Sequence, residues 1–239
     1  MIRSLLFISV APVFIVAIYI YLRDKYEKEP YLNLIIALLT GVLIVLPVVL
    51  IENVLTIFSS DMTGLAKAGY NAFFVASLTE EGFKYLAFIL LIWKNKIFNE
   101  QFDGIVYAVF ISLGFAAVEN IIYVYKGGYN VGIVRALTAV PAHALFGTVM
   151  GYHLGRARFY TRRRSLRLLL AFLIPFIWHG TYDFLLIGQR QVLLFLFIPF
   201  IILFWINGFR QMEKLSKASI FRNDLFTEKK STEKSIRRS

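Results

Sequence analysis

The stretch "SLTEEGFKYLAFILLIW" (residues 77–93) places three charged side chains in a sequence that is otherwise largely apolar. Glu80, Glu81 and Lys84 fall within five positions, and spacings of three and four put residues on one face of a helix. A charged side chain at the centre of a membrane helix costs about 2.5–3.5 kcal/mol on insertion scales. Charges at such a position indicate a functional site, so the first question is whether this chain spans a membrane.

The composition of the chain is that of a membrane protein. Of its 239 residues, 58% are hydrophobic and only 17% are charged, and the mean hydropathy is +0.66. The absence of cysteine excludes disulfides, thiolate metal sites and cysteine nucleophiles. The net charge of +11 comes from basic residues in the loops and the tail, which favours a topology signal over binding to nucleic acid.

Seven apolar stretches are long enough to cross a bilayer, for which a helix needs roughly 20 residues. The sequence therefore predicts an all-α fold, a polytopic membrane helical bundle of about seven transmembrane helices. We expect a membrane domain over residues 1–209, with its first helix retained rather than cleaved, and a basic cytoplasmic tail over 210–239. The predicted spans cover about residues 4–22, 31–58, 69–93, 104–125, 132–155, 166–187 and 191–209.

The basic residues also predict the orientation of the chain. Of the 26 lysines and arginines, 20 lie in the tail and in the loops after the first, third and fifth predicted spans, and five lie on the other side. Cytoplasmic loops carry an excess of lysine and arginine. We therefore expect a multi-pass protein of the cell membrane with its N-terminus outside and its C-terminus in the cytoplasm.

Three predicted spans carry a pair of residues four positions apart that includes at least one ionisable side chain, in "EEGFK" (80–84), "FAAVE" (115–119) and "HGTYD" (179–183). Each pair alone is explained equally well by helix packing, and Glu52 and His153, near span ends, are interpreted as interfacial and structural. At a rise of about 1.5 Å per residue, however, polar groups of four spans lie roughly 10–16 Å below the outer surface. This shared depth predicts one site, formed by Glu80, Glu81, Lys84, Glu119, His143, His179 and Asp183.

The predicted site suits hydrolysis of an amide within the outer leaflet. Four carboxylates and one lysine cannot all be ionised at low dielectric, so a glutamate is a candidate general base that activates water. A histidine held by an aspartate is a candidate proton donor or oxyanion donor. Alternatively, a divalent metal such as zinc could neutralise the excess charge, although the spacing is not HExxH. No cofactor is favoured.

The chain resembles the PrsW family of bacterial membrane proteases, relatives of the type II CAAX prenyl endopeptidases. The family motifs EExxK, FxxxE and HxxxD are matched by the three sequences above, in order and on the expected helices. Three further segments are also similar to the family: "RDKYEKEP" (23–30), "FDGIVYAVFISLGFAAVENIIY" (102–123) and "HALFGTVMGYHLGRAR" (143–158). The resemblance runs from about residue 10 to 208, which covers nearly everything except the tail.

The resemblance implies a membrane-embedded endopeptidase whose protease domain is residues 1–209. Such proteins make the first, extracytoplasmic-side cut in a single-pass anti-sigma factor, which leads to release of an extracytoplasmic-function sigma factor. The implied partners are that membrane protein and the lipid bilayer. The implied catalytic type is glutamic, with metal use left open. The alternative is a transporter or proton relay that uses the same carboxylates and histidines, although no internal repeat of the kind common in transporters is visible.

Overall fold

The computed structural model describes residues 2–222, and this part of the chain contains helices and no strand. Apolar runs of this length form helices in a bilayer because a helix pairs its own backbone groups. The elements in chain order are α1 (Ile2–Arg23), α2 (Tyr31–Ile57), α3 (Gly64–Tyr70), a π-helical segment (Asn71–Ser77), α4 (Leu78–Leu91), α5 (Gln101–Leu137), α6 (Ala139–Phe159), α7 (Arg164–Ile187) and α8 (Gln191–Lys217).

The predicted all-α membrane bundle is confirmed, but the count of seven spans is not. Five helical stretches among the described residues are long and apolar enough to cross a membrane. One of the five joins α5 and α6, which the sequence predicts as two spans, and the predicted span over 69–93 is not among them. The stretches are Arg3–Arg23, Tyr31–Ile57, Gln101–Phe159, Arg164–Ile187 and Gln191–Lys217.

Glu80, Glu81 and Lys84 lie in the first two turns of α4, which directly follows the π-helical segment. The chain from Gly64 to Leu91 is helical throughout, but it consists of three pieces of 7, 7 and 14 residues. π-Helical turns are rare and occur frequently at functional sites. The π-helical segment ends at Ser77, and α4 begins at the next residue. The first turn of α4 carries Glu80 and Glu81, both of which are buried.

Helix α5 is the central element, and it changes direction at Gly128. This glycine has φ 78° and ψ −167°, a conformation open essentially only to glycine. The segment after Gly128 returns toward the part of α5 before it, so that Arg135 reaches Glu119 at 3.1 Å. In a straight helix these two residues would be about 24 Å apart.

Glycines allow α5 to approach its neighbours closely. A Cβ atom on Gly151 of α6 would overlap the backbone oxygen of Gly104 in α5, and one on Gly114 would overlap the oxygen of Leu38 in α2. Small residues at helix contacts are typical of membrane bundles, where packing rather than water exclusion holds helices together. The middle of α5 is almost completely buried as a result.

Apolar side chains face outward along α1, α2 and α8. Leu43, Leu46 and Phe195, for example, are each more than two-thirds exposed. A surface of this kind fits the acyl chains of a bilayer and would be a liability in water. Helix α8 continues through the first residues of the predicted tail to Lys217, and residues 223–239 lie outside the described part of the chain.

Candidate active site

Lys84 is the centre of the candidate site. Its ammonium group donates to Oε2 of Glu80 at 3.0 Å and to Oε1 of Glu81 at 2.9 Å, and it lies 3.2 Å from Nδ1 of His143. The side chain is 1% exposed. The ring of Phe115 lies below the same group, with its centroid 4.3 Å from Nζ, so the first residue of the "FAAVE" pair makes a cation–π contact.

His143 joins α4 to α5 through its two ring nitrogens. An ammonium group has only donors, so Nδ1 of His143 accepts from Lys84 and Nε2 carries the ring proton. Nε2 then donates to Oε2 of Glu119 at 2.7 Å. This hydrogen-bond chain fixes the histidine tautomer and links the motifs of two helices through a third.

His179 of α7 lies between two carboxylates. Its Nδ1 is 2.9 Å from Oε1 of Glu81, and its Nε2 is 3.4 Å from Oδ2 of Asp183. The ring stacks on Phe146, at 4.7 Å between centroids and an angle of 13°. Because each ring nitrogen faces a carboxylate oxygen, the orientation of the imidazole is fixed, and either nitrogen can donate a proton.

The structure therefore brings together all seven residues that the sequence predicts for the site, from α4, α5, α6 and α7. Their direct contacts show that they lie in one layer of the bundle, which agrees with the similar depths estimated from the sequence. Glu119 and Asp183, with side chains 21% exposed, are the open side of the cluster, whereas Glu81 is fully buried. His153, interpreted as structural, contacts Tyr152 and not this cluster.

Sequence reasoning missed three residues of the site. Arg135, counted as the outer end of a span, forms an ion pair with Glu119 at 3.1 Å and donates from Nε to Oδ1 of Asn120 at 2.9 Å. Asn120 in turn donates to the backbone oxygen of Ser9 in α1. Glu52, interpreted as interfacial, is half-buried and lies within electrostatic range of Glu80 and Glu119. The available signal in the sequence was the pair Gly127 and Gly128, since Gly-Gly marks a turn that can bring Arg135 back toward Glu119.

The fold and the site define a class: a polytopic helical membrane protein with a buried centre of glutamates, histidines and a lysine contributed by four helices. The model of the family described as "PrsW family intramembrane metalloprotease" matches residues 29–206. The chain belongs to the PrsW family, and it is an intramembrane protease. This assignment favours the proteolytic interpretation over the transporter alternative.

Proteins named "Protease PrsW" are similar to the chain over nearly its whole length. The protein from Oceanobacillus iheyensis is 38% identical over 218 residues, which cover 91% of this chain and 98% of that protein. The protein from Clostridioides difficile (strain 630) is 35% identical and covers 95% and 98%. The protein from Bacillus subtilis (strain 168) is 34% identical and covers 86% and 93%. No solved structure matches the chain.

The family description raises the question whether these residues fit a metal ion. Two groups, Glu80–Glu81–His179 and Glu80–Glu119–His143, offer ligand atoms that lie within 4.8 Å of one another. Carboxylate oxygen and imidazole nitrogen are zinc ligands. Oε2 of Glu81 is buried with no hydrogen-bond partner, so one oxygen is free to act as a metal ligand. The residues fit such an ion by type and reach, although the ammonium group of Lys84 now bonds to both groups.

Proposed function

We propose that this intramembrane protease cleaves a peptide bond by water activation at a glutamate, with histidine assistance. The observation that carries the proposal is the continuous network from Glu119 through His143 and Lys84 to Glu81 and His179. It contains a base, two imidazoles and a fixed positive charge in a buried place. General acid–base chemistry requires these groups within hydrogen-bond reach of one another.

Glu80 is the better candidate for the base, and Glu81 for a positioning residue. The side chain of Glu80 is 7% exposed and that of Glu81 is 0% exposed, so water reaches Glu80 more easily. Oε1 of Glu81 accepts a hydrogen bond from Lys84 and lies 2.9 Å from Nδ1 of His179. Glu81 therefore holds both of these side chains in place. Lys84 offsets the negative charge of the glutamates and is placed to stabilise an oxyanion.

His179 is the candidate proton donor to the leaving amine. It is held between Glu81 and Asp183, and Asp183 lies on the more exposed side of the cluster. His143, bonded to Lys84 and Glu119, is the second candidate for this role. The proton taken from water by a glutamate therefore has a short route to the nitrogen that leaves.

A metal ion is the alternative to a purely glutamic mechanism. The residues that would hold it are Glu80 with Glu81 and His179, or Glu80 with Glu119 and His143. When bound, such an ion supplies Lewis-acid chemistry, which lowers the pKa of water and polarises a carbonyl. We favour the glutamic mechanism because Lys84 already provides a positive charge in contact with both groups.

The proposed substrate is a single-pass anti-sigma factor, cut on its extracytoplasmic side. Two arguments support this: the resemblance of the chain to the PrsW family, and the predicted position of the site in the outer half of the bilayer. The regulated proteolysis and stress response that follow from such a cut belong to the same proposal.

Co-expression with candidate single-pass membrane proteins, followed by cleavage with purified protein in detergent, tests the proposal. We expect Glu80→Gln and Glu81→Gln to abolish the fragment while the protein still accumulates in the membrane. Glu213→Gln is the matched control, since Glu213 is exposed on α8 in a pair with Lys217. Wild-type rates in both active-site variants, at matched expression, would refute the role of this motif.

Elemental analysis of the same active preparation separates the two catalytic types. In the glutamic mechanism, a zinc-selective chelator leaves the rate of cleavage unchanged. One zinc per chain, whose removal abolishes activity and whose return restores it, would overturn the glutamic mechanism and leave the protease assignment intact.

A further inference from the structure

A second cluster of carboxylates lies far from the candidate active site. The loop between α1 and α2 contributes Asp24, Glu27 and Glu29, from the "RDKYEKEP" segment that the proposed function does not use. The start of α5 contributes Asp103, with Glu100 directly before the helix. Asp103 is about 24 Å along α5 from Glu119, so the two clusters are separate.

Several oxygens of this cluster are buried and have no hydrogen-bond partner. They are Oδ1 of Asp24, Oε2 of Glu27, Oε1 of Glu29 and Oδ1 of Asp103. Asp24 and Asp103 are 0% exposed and Glu29 is 2% exposed. A buried polar atom without a partner destabilises the fold, and more so when the atom is charged. Four such atoms in one place indicate a missing partner.

The partners that the cluster does have leave these oxygens free. Oδ2 of Asp103 accepts from the backbone N–H groups of Asn99 and Glu100, both at 2.8 Å. The hydroxyl of Tyr107 donates to Oε2 of Glu29. In each case one oxygen is bonded and the other has no donor; the carboxyl groups of Glu29 and Asp103 also lie within hydrogen-bond range of each other, but two ionised carboxylates cannot donate to one another.

No basic side chain within residues 2–222 forms an ion pair with any of the five carboxylates. Lys28 is exposed, and its ammonium group donates to the backbone oxygen of Tyr21 instead. Asp24 and Glu29 are buried with no basic side chain of the described residues within ion-pair distance, and a buried charge without such a partner is costly. A cation bound among the free oxygens would remove that cost.

We propose that Glu27, Glu29 and Asp103 bind a hard divalent cation of the calcium or magnesium class. One oxygen from each residue lies within 4.8 Å of the others, which is the spread of ligands around such an ion. The donor set contains only oxygen, which favours calcium or magnesium over zinc. The bound cation would fasten the α1–α2 loop to the start of α5.

Equilibrium dialysis of the purified full-length chain against calcium or magnesium alone tests this site. We expect the wild-type protein to bind one equivalent of at least one of these cations at millimolar concentration. Glu29→Gln and Asp103→Asn keep the size of the side chains and one of their two acceptor oxygens but remove the charge. Each should weaken binding at least about tenfold, because affinity depends on the charge of the ligands.

Two controls separate this site from other carboxylates. Glu213→Gln removes an exposed carboxylate, and Glu80→Gln removes one at the candidate active site; both should bind as the wild type does. If the buried variants fail to fold, Glu27→Gln replaces them, since Glu27 is partly exposed and should also show weaker binding. Wild-type protein that binds neither cation, unchanged affinity in the loop variants, or loss of binding in Glu80→Gln would contradict the proposal.

Discussion

At the scale of single residues, the candidate site is organised by one positive charge in contact with three polar partners. Lys84 holds two glutamates and a histidine within 3.2 Å of its nitrogen, with an aromatic ring on its remaining side. Removing one partner of a buried ion pair usually costs about 3–5 kcal/mol, since a charge is left without compensation. This arrangement explains why a lysine is found among the glutamates. A neutral metal-binding side chain or a further acid at position 84 would not offset their negative charge.

The first residue-scale prediction concerns His179. We expect His179→Ala to lower the rate of cleavage by roughly 10²–10³-fold, the loss seen when one donor to a developing charge is removed. Asp183→Asn should have a smaller effect, because Glu81 still holds the other ring nitrogen. The measurement is single-turnover cleavage in detergent. His153→Ala is the matched control, and a loss of equal size in that variant would show that the effect is one of stability.

Arg135 provides the second prediction at this scale, as a positioning residue for Glu119. Arg135→Gln removes the counter-charge 3.1 Å from that carboxylate, so we expect kcat to fall with little change in KM. Arg135→Lys should restore part of the rate, since it returns the charge but not the hydrogen bond to Asn120. Arg190→Gln, at an exposed position, is the control. Equal changes in all three variants would contradict a specific role.

At the scale of elements, the sequence predicts which helices meet but not how the chain bends between them. The spacing of four residues, together with the shared depth of the spans, predicts that Glu80, His179 and Glu119 belong to one site, because helical periodicity is local. The contact of Arg135 with Glu119 was not predictable in this way. It depends on the positive φ of Gly128, and two apolar stretches separated by a few polar residues are equally compatible with separate spans.

The bend at Gly128 can be tested by giving this residue a side chain. We expect Gly128→Ala to destabilise the fold by about 1–3 kcal/mol, because its backbone conformation is sparsely populated for other residues. No atom lies within 4 Å of the added Cβ, so the effect is one of backbone strain alone. Thermal unfolding in detergent and the rate of cleavage are the measurements. Gly82→Ala, in regular helix with only an ordinary contact to Phe172, should leave both unchanged or slightly improved.

At the scale of the whole molecule, two charged clusters lie in different layers of the bundle and differ in how their negative charge is balanced. The cluster around Lys84 contains its own cations, and the cluster around Asp103 has none among the described residues. Sequence alone predicts the first, because charges in apolar helices stand out. It does not predict the second, because Asp24, Glu27 and Glu29 are ordinary residues for a loop, and only the fold shows that Asp24 and Glu29 are buried.

The orientation of the bundle remains a prediction, and it determines which layer faces outward. The distribution of lysine and arginine places the C-terminus in the cytoplasm, with the α2–α3 connection on the other side. A reporter that is active only in the cytoplasm should therefore work when fused after Ser239 and fail when inserted at Asp61, between α2 and α3. The reverse result would put the candidate active site in the inner half of the bilayer, and it would rule out a cut on the extracytoplasmic side.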